Sequence, residues 1–211
     1  METDATYKIA VERQVRQYLT AAAAAAGHDG LRTRGLGWVL REGRTEIASL
    51  SLCPLRNAGG WSAMMEVACP QALAFCQQWA DGTPSALFNP QTVMATTSSA
   101  GGLPGFAGQS GVIVRAGTHD ADALAQHLVE RLSASGLAHM LAWRSVSASL
   151  IDDVVARAEF HAWPLQTVLY IAHHNGMRAD DPRLRDALQR RAIMRRGQRD
   201  RVLVEQVLAS G

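Results

Sequence analysis

The residues able to do chemistry gather late in the chain, where His173 and His174 stand side by side, His161 precedes them by twelve positions and Asp180 and Asp181 follow. Imidazoles and carboxylates at such spacing could hold a metal ion or move protons, provided that they converge. On a helix, adjacent side chains diverge by about 100°, so His173 and His174 cannot both face one ion. They read instead as helix-end residues, where the partial negative charge of the last carbonyls favours an imidazole. His119, with Asp120 and Asp122, reads as a capped helix start. No metal site and no cofactor is expected.

Other catalytic patterns are incomplete. Gly105, Gly108 and Gly111 lack a following lysine and lead into a strand, which suits neither a P-loop nor a dinucleotide fingerprint. A nucleophile elbow needs Gly-x-Ser-x-Gly, and Gly60-Trp61-Ser62-Ala63-Met64 lacks the second glycine. Cys53, Cys69 and Cys76 form no CxxC pair and leave one thiol over in any disulfide scheme, which points to a reducing cytoplasm.

Residues suited to recognition are easier to find. Arg56, Asn57 and Trp61 belong to a loop that Pro54 and the Gly59-Gly60 pair push away from neighbouring strands. Trp and Arg combine large contact area with directional polar groups, so an exposed Trp61 would anchor a partner; the competing reading folds Trp61 into the core. Leu103 and Phe106 are apolar residues in the Gly-, Pro- and Ser-rich segment 97–111, which reads as a loose surface loop, or as a lid or partner contact. Between positions 178 and 201 there are nine arginines, a basic face that keeps nucleic acid open as a ligand. No aromatic residue lies among them to stack on a base, so a solvated helix face is the plainer reading.

The elements that must position these residues follow from periodicity. Apolar and polar residues alternate over 36–41, 47–52 and 62–69, as half-buried strands require. Gly43 supplies a positive φ for the first turn, and Pro54 is expected to end the second strand. Further strands are expected near 91–97 and 111–116. Residues 7–26 show apolar residues at steps of three and four, a helix stopped by Gly27. A short helix is expected over 71–80 and another from 118 or 120 to Gly136, then an edge strand over 139–143. Helices follow over 147–161, 164–174, 182–196 and 199–209, broken by proline and glycine. The fold class is α+β: an N-terminal helix, a mostly antiparallel sheet of four to six strands, and a helical C-terminal half.

The chain is long enough, at 211 residues with 47% hydrophobic residues, to bury a substantial core. A single α+β domain over 1–211 is expected, its helix and sheet in 1–118 and its mainly helical part in 119–211. Net charge is +2, and Lys8 is the only lysine, a bias typical of a GC-rich bacterial gene. Positions 1–17 are polar and mixed and the alanine run 21–26 is short, so neither export nor membrane insertion is expected.

The order of a leading helix, the Gly35-Leu36-Gly37-Trp38 entry to a strand, a second strand over 47–52, a Gly60-Trp61 turn into a third and a leucine-repeating helix over 120–132 resembles small uncharacterised bacterial α+β domains of the toxin-immunity type. The resemblance spans roughly residues 10–140 and transfers no functional residue. It implies a non-catalytic cytoplasmic binding protein whose partner is a cognate toxin domain. Since inhibitors of basic nucleases are acidic for electrostatic steering, a slightly basic chain implies another kind of target. The alternative is a hydrolase-like enzyme with a dispersed site at His161, His173 and the loop 97–111; on the absent motifs, the reading leans away from an enzyme.

Overall fold

A computed structural model describes residues 4–55, 60–80, 91–97, 112–113 and 120–209. They form two compact units, neither continuous in the chain: the first holds 1–66 and 96–141, the second 67–95 and 142–211. Each unit therefore draws on both sides of residue 118.

The first unit begins with α1 (Asp4–Ala26), whose residues Tyr7, Val11, Val15 and Leu19 recur every fourth position and are buried. Strands β1 (Leu31–Arg34), β2 (Gly37–Glu42) and β3 (Thr45–Leu55) follow as antiparallel neighbours. Both connections are two-residue turns with glycine first, Gly35 at φ 61° and Gly43 at φ 59°, a conformation that a Cβ would disfavour. β1 was not anticipated, because Leu31 is its one large apolar residue and four residues carry too little alternation. β3 runs through Pro54 to Leu55, so the proline does not end the strand; it lies one residue from the strand's end, exposed, where its missing N–H is tolerated.

β4 (Gly60–Val67), β5 (Met94–Thr97) and β6 (Val112–Ile113) complete a six-stranded sheet in the order β1-β2-β3-β4-β5, with β6 antiparallel on β4. The alternation read over 62–69 holds, since Ala63, Met65 and Val67 are buried. α3 (Ala121–Leu132) starts at Asp120, whose carboxylate accepts the Ala123 N–H at 3.0 Å, and packs on α1; its Leu124, Leu128 and Leu132 are buried. Trp38 Nε1 donates to the Leu19 carbonyl at 2.9 Å, tying α1 to the sheet.

Two expectations fail directly after α3. The helix does not stop at Gly136; it passes through a π-helical turn, Ser133–Leu137, into α4 (Ala138–Ser145). The expected edge strand over 139–143 is therefore helix, and its buried residues Met140 and Trp143 are three apart, the helical spacing. Gly136 serves close packing, because a Cβ there would lie 2.7 and 2.9 Å from the Leu50 methyl carbons.

The second unit has α2 (Pro70–Gln78), α5 (Leu150–Ala156), α6 (Pro164–His174), α7 (Pro182–Leu188) and α8 (Gln198–Ala209). α6 is its spine: every residue from Pro164 to Ala172 is buried. The helix expected over 147–161 ends at Ala156 and resumes as a 3-10 turn, Ala158–Phe160. α7 also stops early, at Leu188, although its start is well made: Asp181 accepts the Arg183 and Leu184 N–H groups at 2.9 and 3.3 Å. Val146 has φ 46°, a strained value for a β-branched residue, and its carbonyl accepts from Asn175 Nδ2 at 2.8 Å.

Candidate functional site

The second unit carries a groove whose first wall is the end of α2. Pro70 opens that helix at the position where its missing N–H costs nothing. One side of α2 packs on α6, where Cys76 Sγ lies 3.7 Å from Thr167 Oγ1 and the Thr167 hydroxyl donates to the Trp163 carbonyl at 2.7 Å. Burial pushes the Cys76 thiol up to about 12 and raises the Tyr170 phenol as well, with Cys69 adding to the rise at Tyr170. A thiol held protonated is a packing group at neutral pH, since the thiolate is the nucleophile.

This base positions Trp79. Its N–H donates to the Phe75 carbonyl at 3.2 Å, and its own carbonyl accepts from the buried Gln166 Nε2 at 3.3 Å. Its ring centroid lies 6.5 Å from that of Phe75, which also meets Tyr170 at 5.6 Å and His173 at 6.0 Å. Trp79 is thus fixed through its backbone while its side chain stays half-buried.

The opposite wall is α8. Gly197 turns the chain at φ 57° and its carbonyl accepts the Arg201 N–H at 3.2 Å. Asp200 is 1% exposed and its carboxylate reaches back to Arg196, accepting the backbone N–H at 2.7 Å and Nε at 3.2 Å. The next turns present Gln198 and Arg199, then Val202, which is 42% exposed, with Leu203 and Gln206. Together with Gln78, Trp79 and Ala80 they enclose a groove of about 460 Å³. Among the described residues its lining includes Arg196 and Arg199 and no carboxylate.

The residues singled out from the sequence lie elsewhere. Arg56, Asn57, Leu103 and Phe106, with positions 98–111 of the Gly-rich segment, lie outside the described residues. Trp61 is 1% exposed, with Lys8 Nζ 5.8 Å from its ring centroid, so it is a core residue and does not present the surface that an anchor needs. A strand that alternates apolar with polar places every second side chain inside, and Trp61 shares its face with Ala63, Met65 and Val67.

The histidines are not brought to one site. His161 is 2% exposed in a bridge to Met94, while His173 is exposed at the end of α6 and borders a separate cleft with Met177 and Arg178. Among the described residues no three His, Cys, Asp or Glu side chains are placed to share a metal ion, and no helix is long and apolar enough to cross a membrane.

The groove residues Trp79, Arg196, Arg199 and Val202 were missed as a set. The arginines read as a solvated face because no aromatic lies among them in sequence; folding brings Trp79 to them from more than a hundred positions away. The signal that could have found them is Val202, an apolar residue that directly follows the Arg199-Asp200-Arg201 run at the start of α8.

No family model matches the chain, and neither a curated protein nor a solved structure matches it.

Proposed function

We propose that this chain is a non-catalytic binding protein that seats a protein partner in the groove between Trp79 and α8, in the manner of an immunity protein that neutralises a cognate toxin. One observation carries the reading: a half-buried tryptophan, held at its backbone by Phe75 and Gln166, faces the same groove as Arg196 and Arg199. Trp and Arg are the residue types whose truncation most often costs an interface its affinity. A side chain fixed before binding loses less entropy on binding, which is the general advantage of a preorganised surface.

The hydrolase-like alternative gains less from the geometry. It would draw on His161, which is buried, and His173, which borders a different cleft. Cys76, the thiol nearest the groove helix, is held protonated by burial.

Co-expression in a bacterial host with a toxin encoded next to this chain's gene tests the proposal. The expected result is restored growth and a stoichiometric complex on size-exclusion chromatography. Growth arrest unchanged by the chain, with no complex at micromolar concentrations, sinks it.

A further inference from the structure

We infer that the groove between Trp79 and α8 takes an acidic protein segment that carries an apolar side chain; this rests on the binding-protein reading and names the partner's chemistry. Among the described residues, both charged groups that line the groove, Arg196 and Arg199, are guanidinium groups. Asp200, on α8, is 1% exposed and pairs with Arg196 Nε at 3.2 Å, so the described lining together with Asp200 carries one net positive charge and no exposed carboxylate.

The surrounding chain reinforces the sign. From 178 to 205 there are nine arginines against four aspartates and one glutamate, a net four positive charges in a protein whose total is +2. A field concentrated in this way attracts carboxylates before contact and repels basic partners.

The remaining lining decides between a protein and a nucleic acid. Trp79, Ala80, Val202 and Leu203 offer an apolar strip, and Gln78 and Gln198 offer amides that can serve a peptide backbone as donor or acceptor. Single-stranded nucleic acid is held by successive stacking platforms along a basic track. Here one aromatic ring is followed by aliphatic side chains, which match leucine or valine better than a second base.

Fluorescence anisotropy of three labelled probes with the full-length protein separates the possibilities: a twelve-residue peptide alternating glutamate and leucine, its lysine counterpart, and a twelve-nucleotide uridine oligomer. The acidic peptide is expected to bind about tenfold or more tighter than either other probe at 50 mM salt, and to weaken as salt rises. Arg199→Glu and Trp79→Ala are each expected to weaken it about tenfold, while Arg44→Glu, the same charge change on the β2–β3 turn, changes it less than about twofold. Circular dichroism confirms that the variants are folded, and Arg199→Glu alone suffices should Trp79→Ala not fold. Tighter binding of the oligomer, equal effects of Arg44→Glu and Arg199→Glu, or no binding of the acidic peptide overturns the inference. A toxin neutralised equally well by Arg199→Glu and wild type refutes the groove and leaves the immunity reading standing; acidic-peptide binding with no toxin neutralised does the reverse.

Discussion

Cys76 shows how a single side chain ties burial to pH. Its thiol has no exposure, lies against Thr167 and is pushed from 9.0 to about 12 by desolvation of the thiolate. The folded state therefore keeps a proton that the unfolded chain releases above 9.0, so the contribution is fully present below that pH and is lost as pH rises towards about 12. One pKa unit corresponds to about 1.4 kcal/mol, so the loss is of the order of a few kcal/mol. Urea unfolding at pH 7.5, 9 and 10.5 should show wild type losing stability faster than Cys76→Ser. Parallel pH profiles would mean that burial does not hold the thiol protonated. Tyr170, raised chiefly by burial, adds to the slope in both proteins.

At the scale of elements, glycine has two roles here that look alike in sequence. Gly35 and Gly43 turn hairpins at positive φ, whereas Gly136 sits inside a continuous helical stretch because Leu50 occupies the space of a Cβ. Alanine is a better helix former than glycine by about 1 kcal/mol, while overpacking a buried site costs about 1–3 kcal/mol. Gly136→Ala is accordingly expected to destabilise by up to about 2 kcal/mol in chemical denaturation. The cost should shrink when Leu50 is also truncated to alanine, since the two sites share one volume. A stabilised Gly136→Ala, or strict additivity with Leu50→Ala, would remove the packing account. The same passage explains why an edge strand was expected over 139–143: four or five mixed residues cannot separate period 2 from period 3.6, and the uninterrupted backbone ladder decides for helix.

For the molecule as a whole, the distribution of charge matters more than its sum. Net charge is +2, yet the stretch 178–205 carries four net positive charges, and Arg190 and Arg191 are exposed within it. On a cation-exchange column near pH 7, the double variant Arg190→Glu with Arg191→Glu should elute at distinctly lower salt than the double variant Arg13→Glu with Arg16→Glu, although both change the net charge equally. Equal elution would mean that no face dominates. The two units are each assembled from separated segments, so stretches adjacent in sequence, such as Glu66 and Val67, belong to different cores.

Much of the local architecture was legible because its causes are local. Alternation marked β2, β3 and β4, although Val39 and Ile47 are buried along with their neighbours; apolar residues at steps of three and four marked α1, although Ile9 among them is 68% exposed; and Pro164 marked the start of α6. Each depends on side chains within a few positions. What only the tertiary structure decided was exposure and neighbourhood. Trp61 and Trp79 are the same residue type, each set beside turn or helix signals, yet one is 1% exposed under Lys8 and the other is half-buried beside Arg196 and Arg199. Burial is set by which distant segment covers a side chain, and a groove by which two segments leave a gap. The face that Trp61 shares with Ala63, Met65 and Val67 is a periodic trace of its burial, whereas a gap between two segments leaves none in the residues that line it.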